Sequence, residues 1–199
     1  MKTIFSILAC QFLALTGFAQ TEFPSRESQL KSTVLAAPED KRAEATVYGF
    51  SQEGKLILLR KGSNNMVCLA DDPEKEGFSA SCYPQSLEPF MKRGRELREQ
   101  GKSYQEVFDT REQEVKSGQL KMPEQPSILY VFSAPAEKYN PASGEVKDGS
   151  FRYVVYIPYA TAESTGLPLK PEAPGMPWLM DPGTHRAHIM ISPPAPEKE

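Results

Sequence analysis

Both histidines of the 199-residue chain, its single tryptophan and three of its seven methionines fall within PGMPWLMDPGTHRAHIMI, residues 174–191. His185 and His188 stand in H-x-x-H spacing. On a helix two such imidazoles share a face and can hold one ion; on a strand they point apart. RAHIMI alternates like a strand, so only a turn at Pro182–His185 would bring the first ring beside the second. With Asp181 the two imidazoles form a donor set suited to zinc or iron, whereas Met176 and Met180 would suit copper. The competing reading is structural: His188 half-buried and hydrogen-bonded to the preceding loop, His185 in solvent. Haem attachment would need Cys-x-x-Cys-His, and the chain has none.

Other chemistry is thin. Ser63, His188 and Asp71 make a Ser–His–Asp set only if the chain folds around them. Asp71, Asp72, Glu74 and Glu76 form an acidic run without the spacing of a calcium loop, which reads as a solvated face. Ser28 and Lys31 match S-x-x-K with no companion motif, a chance match. Nucleophile elbows, phosphate loops and dinucleotide fingerprints are missing. Trp178, between Pro177 and Leu179, reads as a peg holding a long loop, or alternatively as a wall for a stacked ligand.

The elements that must position these residues follow from periodicity. ATVYGF (45–50) and KLILLR (55–60) flank SQEG as a β-hairpin with Gly54 in the turn, and MVCLA (66–70) adds a strand. Gly62-Ser63-Asn64 reads as turn chemistry, with Asn64 pinning the turn through its side chain. After Pro84 a helical stripe of Leu87, Phe90, Met91, Gly94 and Leu97 takes over. Gly101 ends it, and Ser103 with Glu106 makes a capping box for a second stripe: Tyr104, Val107, Phe108, Arg111 and Val115. That predicts a helical hairpin. SILYVF (127–132), FRYVVYIPY (151–159) and RAHIMI supply further strands. In the second, two-sided apolarity predicts a strand covered on both faces. Between the last two lies a segment of about 25 residues with five prolines and three glycines, longer than a structureless loop in a compact domain usually runs. The expected fold is α+β: an antiparallel or mixed sheet of about five strands with a packed helical hairpin.

Residues 1–19 read as a signal peptide. Lys2 precedes an apolar run, and Gly17 and Ala19 are the small residues before a cut at Gln20. Residues 20–44 are expected to form an arm or short helix, 45–192 one domain, and 193–199 a flexible Pro-rich tail. Past the signal no integral membrane segment is expected, so the mature chain should reach the periplasm or extracellular space. There Cys68 and Cys82, the two cysteines left after cleavage, read as one disulfide. The chain carries 23 basic and 26 acidic residues with signs interspersed, which excludes the basic stripe that nucleic acid requires.

Three stretches, ATVYGF…KLILLRKGSNNMVCLADDP, ASCYP with the second cysteine, and PGMPWLMDPGTHRAHIMI, carry a resemblance. Together they resemble an uncharacterised family of small secreted bacterial proteins with a Gly-Ser/Thr-Asn…Cys…Cys region and a C-terminal Ala-His-Ile-Met strand. The matching positions are Gly62, Ser63, Asn64, Cys68, Asp71, Cys82, Gly183, Thr184, Ala187, His188, Ile189 and Met190. The chain departs from the pattern at Asn65–Met66, at Ala70 and at His185, where the family has Gly-Trp, Pro and Pro. The resemblance implies secretion and brings no activity. The functional expectation is a non-enzymatic envelope or extracellular binding module for a small molecule or another envelope component, with no cofactor. The alternative is a metal-dependent or acid–base enzyme centred on His188, with His185 and a nearby carboxylate.

Overall fold

Alternating apolar and polar residues build a sheet, strand by strand, in the computed structural model, which describes residues 23–194. The expected signal peptide and the end of the tail lie outside the described residues. TVYGF forms β1 (Thr46–Phe50) and, after a turn in which Gly54 takes a φ of 72°, LILLR forms β2 (Leu56–Arg60) antiparallel to it. The chain then passes the start of β1 and returns as β3 (Met66–Leu69), parallel to β1. Gly62 marks the crossing: a Cβ there would lie 2.2 Å from the Glu44 carbonyl oxygen, so no other residue fits. Asn64 pins the turn as expected, donating to the Lys41 carbonyl at 2.8 Å and accepting from the Met66 N–H at 2.9 Å.

β4 (Phe78–Pro84) and β5 (Ser127–Ala134) continue the sheet. A separate two-stranded ribbon, β6 (Tyr139–Asn140) and β7 (Glu145–Val146), precedes β8 (Ser150–Tyr156), and β9 (Trp178–Met180) and β10 (His188–Ile191) end the chain. The strand order is β2-β1-β3-β4-β5-β8-β10-β9, a mixed sheet of eight strands rather than about five. β4 and β9 carry most of the difference. SASCYP follows a loop directly, and three residues of β9 are too few to show a period. Cys68 and Cys82 face each other across β3 and β4 and are disulfide-bonded, closing the loop between them at its base.

Two layers cover the sheet. On one face lies the helical hairpin, α2 (Glu88–Glu99) and α3 (Tyr104–Lys116). The capping box of Ser103 and Glu106 is present, and Arg93 clamps Glu114 across the hairpin with two guanidinium nitrogens, at 2.9 and 2.5 Å. Phe90, Leu87, Tyr83, Leu129, Val154 and Tyr156 form the core beneath it. On the other face α1 (Arg26–Thr33), capped by Ser25, packs over β1. Its Gln29 donates to the Phe50 carbonyl at 2.9 Å and accepts from the Phe50 N–H at 2.7 Å. α1 is therefore bound to the domain, and Ser28 is buried. β8 is less evenly covered than its pattern suggests: Val154 and Tyr156 are buried, while Phe151, Tyr153 and Val155 on the opposite face are half-buried. Among the described residues no helix is long and apolar enough to cross a membrane.

The Pro- and Gly-rich segment is tied down. It contains a short helix, α4 (Ala162–Thr165), closed by Gly166 in the left-handed region, and then β9. Ile157 and Tyr159 donate to the carbonyls of Ala187 and Thr184, and Gly183 donates to Ala160, so its two ends are stitched together. Leu179 is the buried peg. Trp178 is only half-buried, opposite Met190 on the edge strand.

Candidate functional site

The alternation of β10 puts His188 on the hairpin face with Met190, and Ile189 and Ile191 on the other. The depth is the reverse of what branched side chains suggest: His188 is buried, and the two isoleucines are half-buried. The His188 Nδ1 lies 2.7 Å from the Arg186 carbonyl, to which it donates, and its ring packs 5.5 Å from that of Tyr156. Asp181 Oδ2 is 4.0 Å away and is engaged by Arg186 Nε at 2.8 Å.

His185 corrects the expectation most sharply. It is fully buried, not in solvent, because the turn at 181–184 tucks it under the helical hairpin. Phe90 and Phe108 meet its ring edge-to-face at 5.7 and 5.0 Å. Glu112 of α3 accepts both its backbone N–H at 2.8 Å and its Nδ1 at 2.5 Å, while its other oxygen takes Lys116 at 2.8 Å. Burial opposes ionisation of Glu112, but Lys116 and the two His185 contacts outweigh it and bring its pKa to about 2. Burial also lowers the pKa of both imidazoles, against the hydrogen bonds from Glu112 and the Arg186 carbonyl. Neutral His185 then donates from Nδ1 and leaves Nε2 buried without a hydrogen-bond partner among the described residues. Beside it Arg111 lies over the Phe90 ring at 4.0 Å, with Gly94 leaving room for its guanidinium and its Nε also without a hydrogen-bond partner among the described residues. Desolvation lowers the Arg111 pKa to about 10.

This neighbourhood is rich in charge and closed to solvent. Among the described residues no three His, Cys, Asp or Glu side chains gather as a metal shell. Met176 is exposed and Met180 half-buried. Nor does the fold assemble Ser63, Asp71 and His188. Ser63 is exposed before β3 and bonded to Glu44, whereas Asp71 follows the other end of that strand. Four strand spacings separate β3 from β10, roughly 19 Å.

Asp71 itself lies in an open site. The hairpin reaches β1 at Tyr48, over whose ring Arg95 lies at 5.8 Å, and leaves Leu58 of β2 48% exposed. Between these strands and the end of α2 runs a cleft of about 400 Å³. Phe50, Leu56 and Leu69 line it together with Arg95, Arg98 and Glu99 of α2 and with Asp71, Asp72, Lys75 and Glu76 of the loop. The disulfide holds the loop that carries this acidic end. Asp71 accepts the Ser79 N–H at 2.8 Å, yet burial raises its pKa to about 6 against that bond. Arg95 is already occupied, donating to Tyr83 Oη at 2.8 Å and Glu88 Oε1 at 2.6 Å. A second cleft of about 470 Å³, lined in part by Phe23, Tyr139 and Pro141, opens beside the same loop and shares Asp71.

Sequence reasoning missed Glu112 and Arg111 as neighbours of the histidines. Glu112 is legible only as the i,i+4 partner of Lys116; Arg111 carried a signal, since it interrupts an apolar stripe. Compared with family models, with curated proteins and with solved structures, the chain matches none.

Proposed function

We propose that this chain is an exported, non-enzymatic binding module of the envelope or extracellular space, with its ligand site in the cleft beside Asp71. One observation carries the reading. The histidines are sealed, with His185 at 0% and His188 at 3% exposure, whereas Asp71 is a carboxyl with a raised pKa in an open, apolar-lined cleft. A site that binds without reacting needs such a concave floor and a few placed charges. It needs neither a nucleophile nor a metal. The resemblance in the Gly62–Asn64, Cys68, Cys82 and Ala187–Met190 stretches supports export and is silent on ligand.

The alternative, an enzyme centred on His188 with His185 and a carboxylate or a transition metal, draws on one feature: the Glu112–His185 contact with its Nε2 unpartnered among the described residues. That atom lies beneath Phe90 and Phe108, where no substrate reaches it without the hairpin lifting. Thermal-shift screening of a metabolite panel against the exported protein tests the choice. Stabilising hits that disappear in Ser81→Trp, which fills the cleft, are expected. Turnover abolished by chelation and restored by zinc would overturn the reading in favour of the enzyme.

A further inference from the structure

The cleft is lined by apolar side chains together with a carboxylate and a guanidinium that make no ion pair among the described residues. At its loop end, the Asp71 carboxylate takes the Ser79 N–H and makes no ion pair among the described residues; Lys75, which also lines the cleft and whose charge favours the Asp71 carboxylate, is held by Asp72 at 2.9 Å. On the helical wall, Arg98 pairs with no carboxylate among the described residues, while its neighbour Arg95 is bound to Glu88 and Tyr83. Leu56 and Leu69 line the same cleft. A cation at Asp71 would relieve a carboxylate that burial disfavours, and an anion at Arg98 would complete a free guanidinium fork. At about 400 Å³ the cleft is near the small end of ligand sites, matching an amino acid or dipeptide better than a longer chain.

Resting on the binding-module reading, we propose that the cleft takes a small apolar zwitterion, a dipeptide-sized molecule whose ammonium meets Asp71 and whose carboxylate meets Arg98. Its aliphatic side chains lie on Leu56 and Leu69. A bare fatty acid lacks the ammonium and leaves Asp71 unpaired; a polyamine lacks the carboxylate and the apolar body.

Titration of leucyl-leucine into the mature protein, followed by amide chemical shifts and calorimetry, tests this. Shifts are expected at Leu69, Ser79, Ser81 and Arg98. N-acetylation of the dipeptide or Asp71→Asn should weaken binding by about tenfold or more, as should C-terminal amidation or Arg98→Gln, each removing one charge-assisted hydrogen bond. Wild-type affinity should fall between pH 7.5 and pH 5, and Asp71→Asn affinity should not. If octanoate binds in the cleft and the dipeptide binds no better, the ligand class is wrong and the binding module stands. If neither ligand shifts a cleft residue, both proposals fall.

Discussion

Replacing Asp71 by Asn should stabilise the protein at neutral pH. The folded chain raises the Asp71 pKa from 3.8 to about 6, chiefly by burial. The native state therefore binds this proton more tightly than the unfolded chain, and ionisation penalises the fold. That penalty is absent below pH 3.8, grows as pH rises and is complete above about pH 6. A shift of this size corresponds to about 3 kcal/mol. Asp71 keeps part of its surface in water, and screening reduces the figure to roughly 1–2 kcal/mol. Asn retains an oxygen for the Ser79 N–H, so the substitution removes the charge and little else. Urea unfolding should find Asp71→Asn more stable by roughly that amount at pH 7.5. Near pH 4 the two proteins should be alike. A variant equally or less stable at pH 7.5, or a gap unchanged at pH 4, would refute the view of Asp71 as a carboxylate strained by its cleft.

The buried histidine makes the opposite prediction. His185→Ala empties a ring enclosed by Phe90 and Phe108 and should cost roughly 3 kcal/mol in urea unfolding, where a solvated histidine would cost almost nothing. Because burial depresses the His185 pKa below 6.5, its contribution is present above pH 6.5 and is lost as pH falls through the folded value, so the variant should lose less stability than wild type over that range. Arg111→Met removes a buried guanidinium that has no carboxylate partner among the described residues and should change stability by less than about 1 kcal/mol or raise it; a loss of several kcal/mol would show that the guanidinium is structurally required. Reduction of Cys68–Cys82, separated by 14 residues, should destabilise the fold by about 3 kcal/mol in thermal unfolding with and without reductant.

What the residues disclosed follows the range of the forces involved. The first hairpin, the turn at Asn64, the capping box at Ser103 and the strand at His188 are local and periodic, and all were legible. The parallel pairing of β1 with β3 depends on Gly62 passing close to Glu44, a contact between distant residues that no period encodes. His185 was misplaced for the same reason. The local pattern leaves it in solvent, but its environment is supplied by Phe90, Phe108 and Glu112, more than seventy residues earlier in the chain. Asp71 was singled out for a Ser–His–Asp set that the strand order keeps apart. Its actual setting arises because the helical hairpin reaches Tyr48 of β1 but leaves Leu58 of β2 exposed, and hairpin length relative to sheet width is a property of the assembled fold.

The central claim is that the open cleft beside Asp71, not the buried histidine pair, is the working site. Amide chemical-shift mapping of the mature protein with a library of small polar and apolar fragments tests it most directly. Perturbations should cluster at residues 69–81 and 95–99, and should leave the amides of His185, His188 and Glu112 unmoved. Fragments that instead shift residues 181–188 and Glu112, with the cleft silent, would contradict the account.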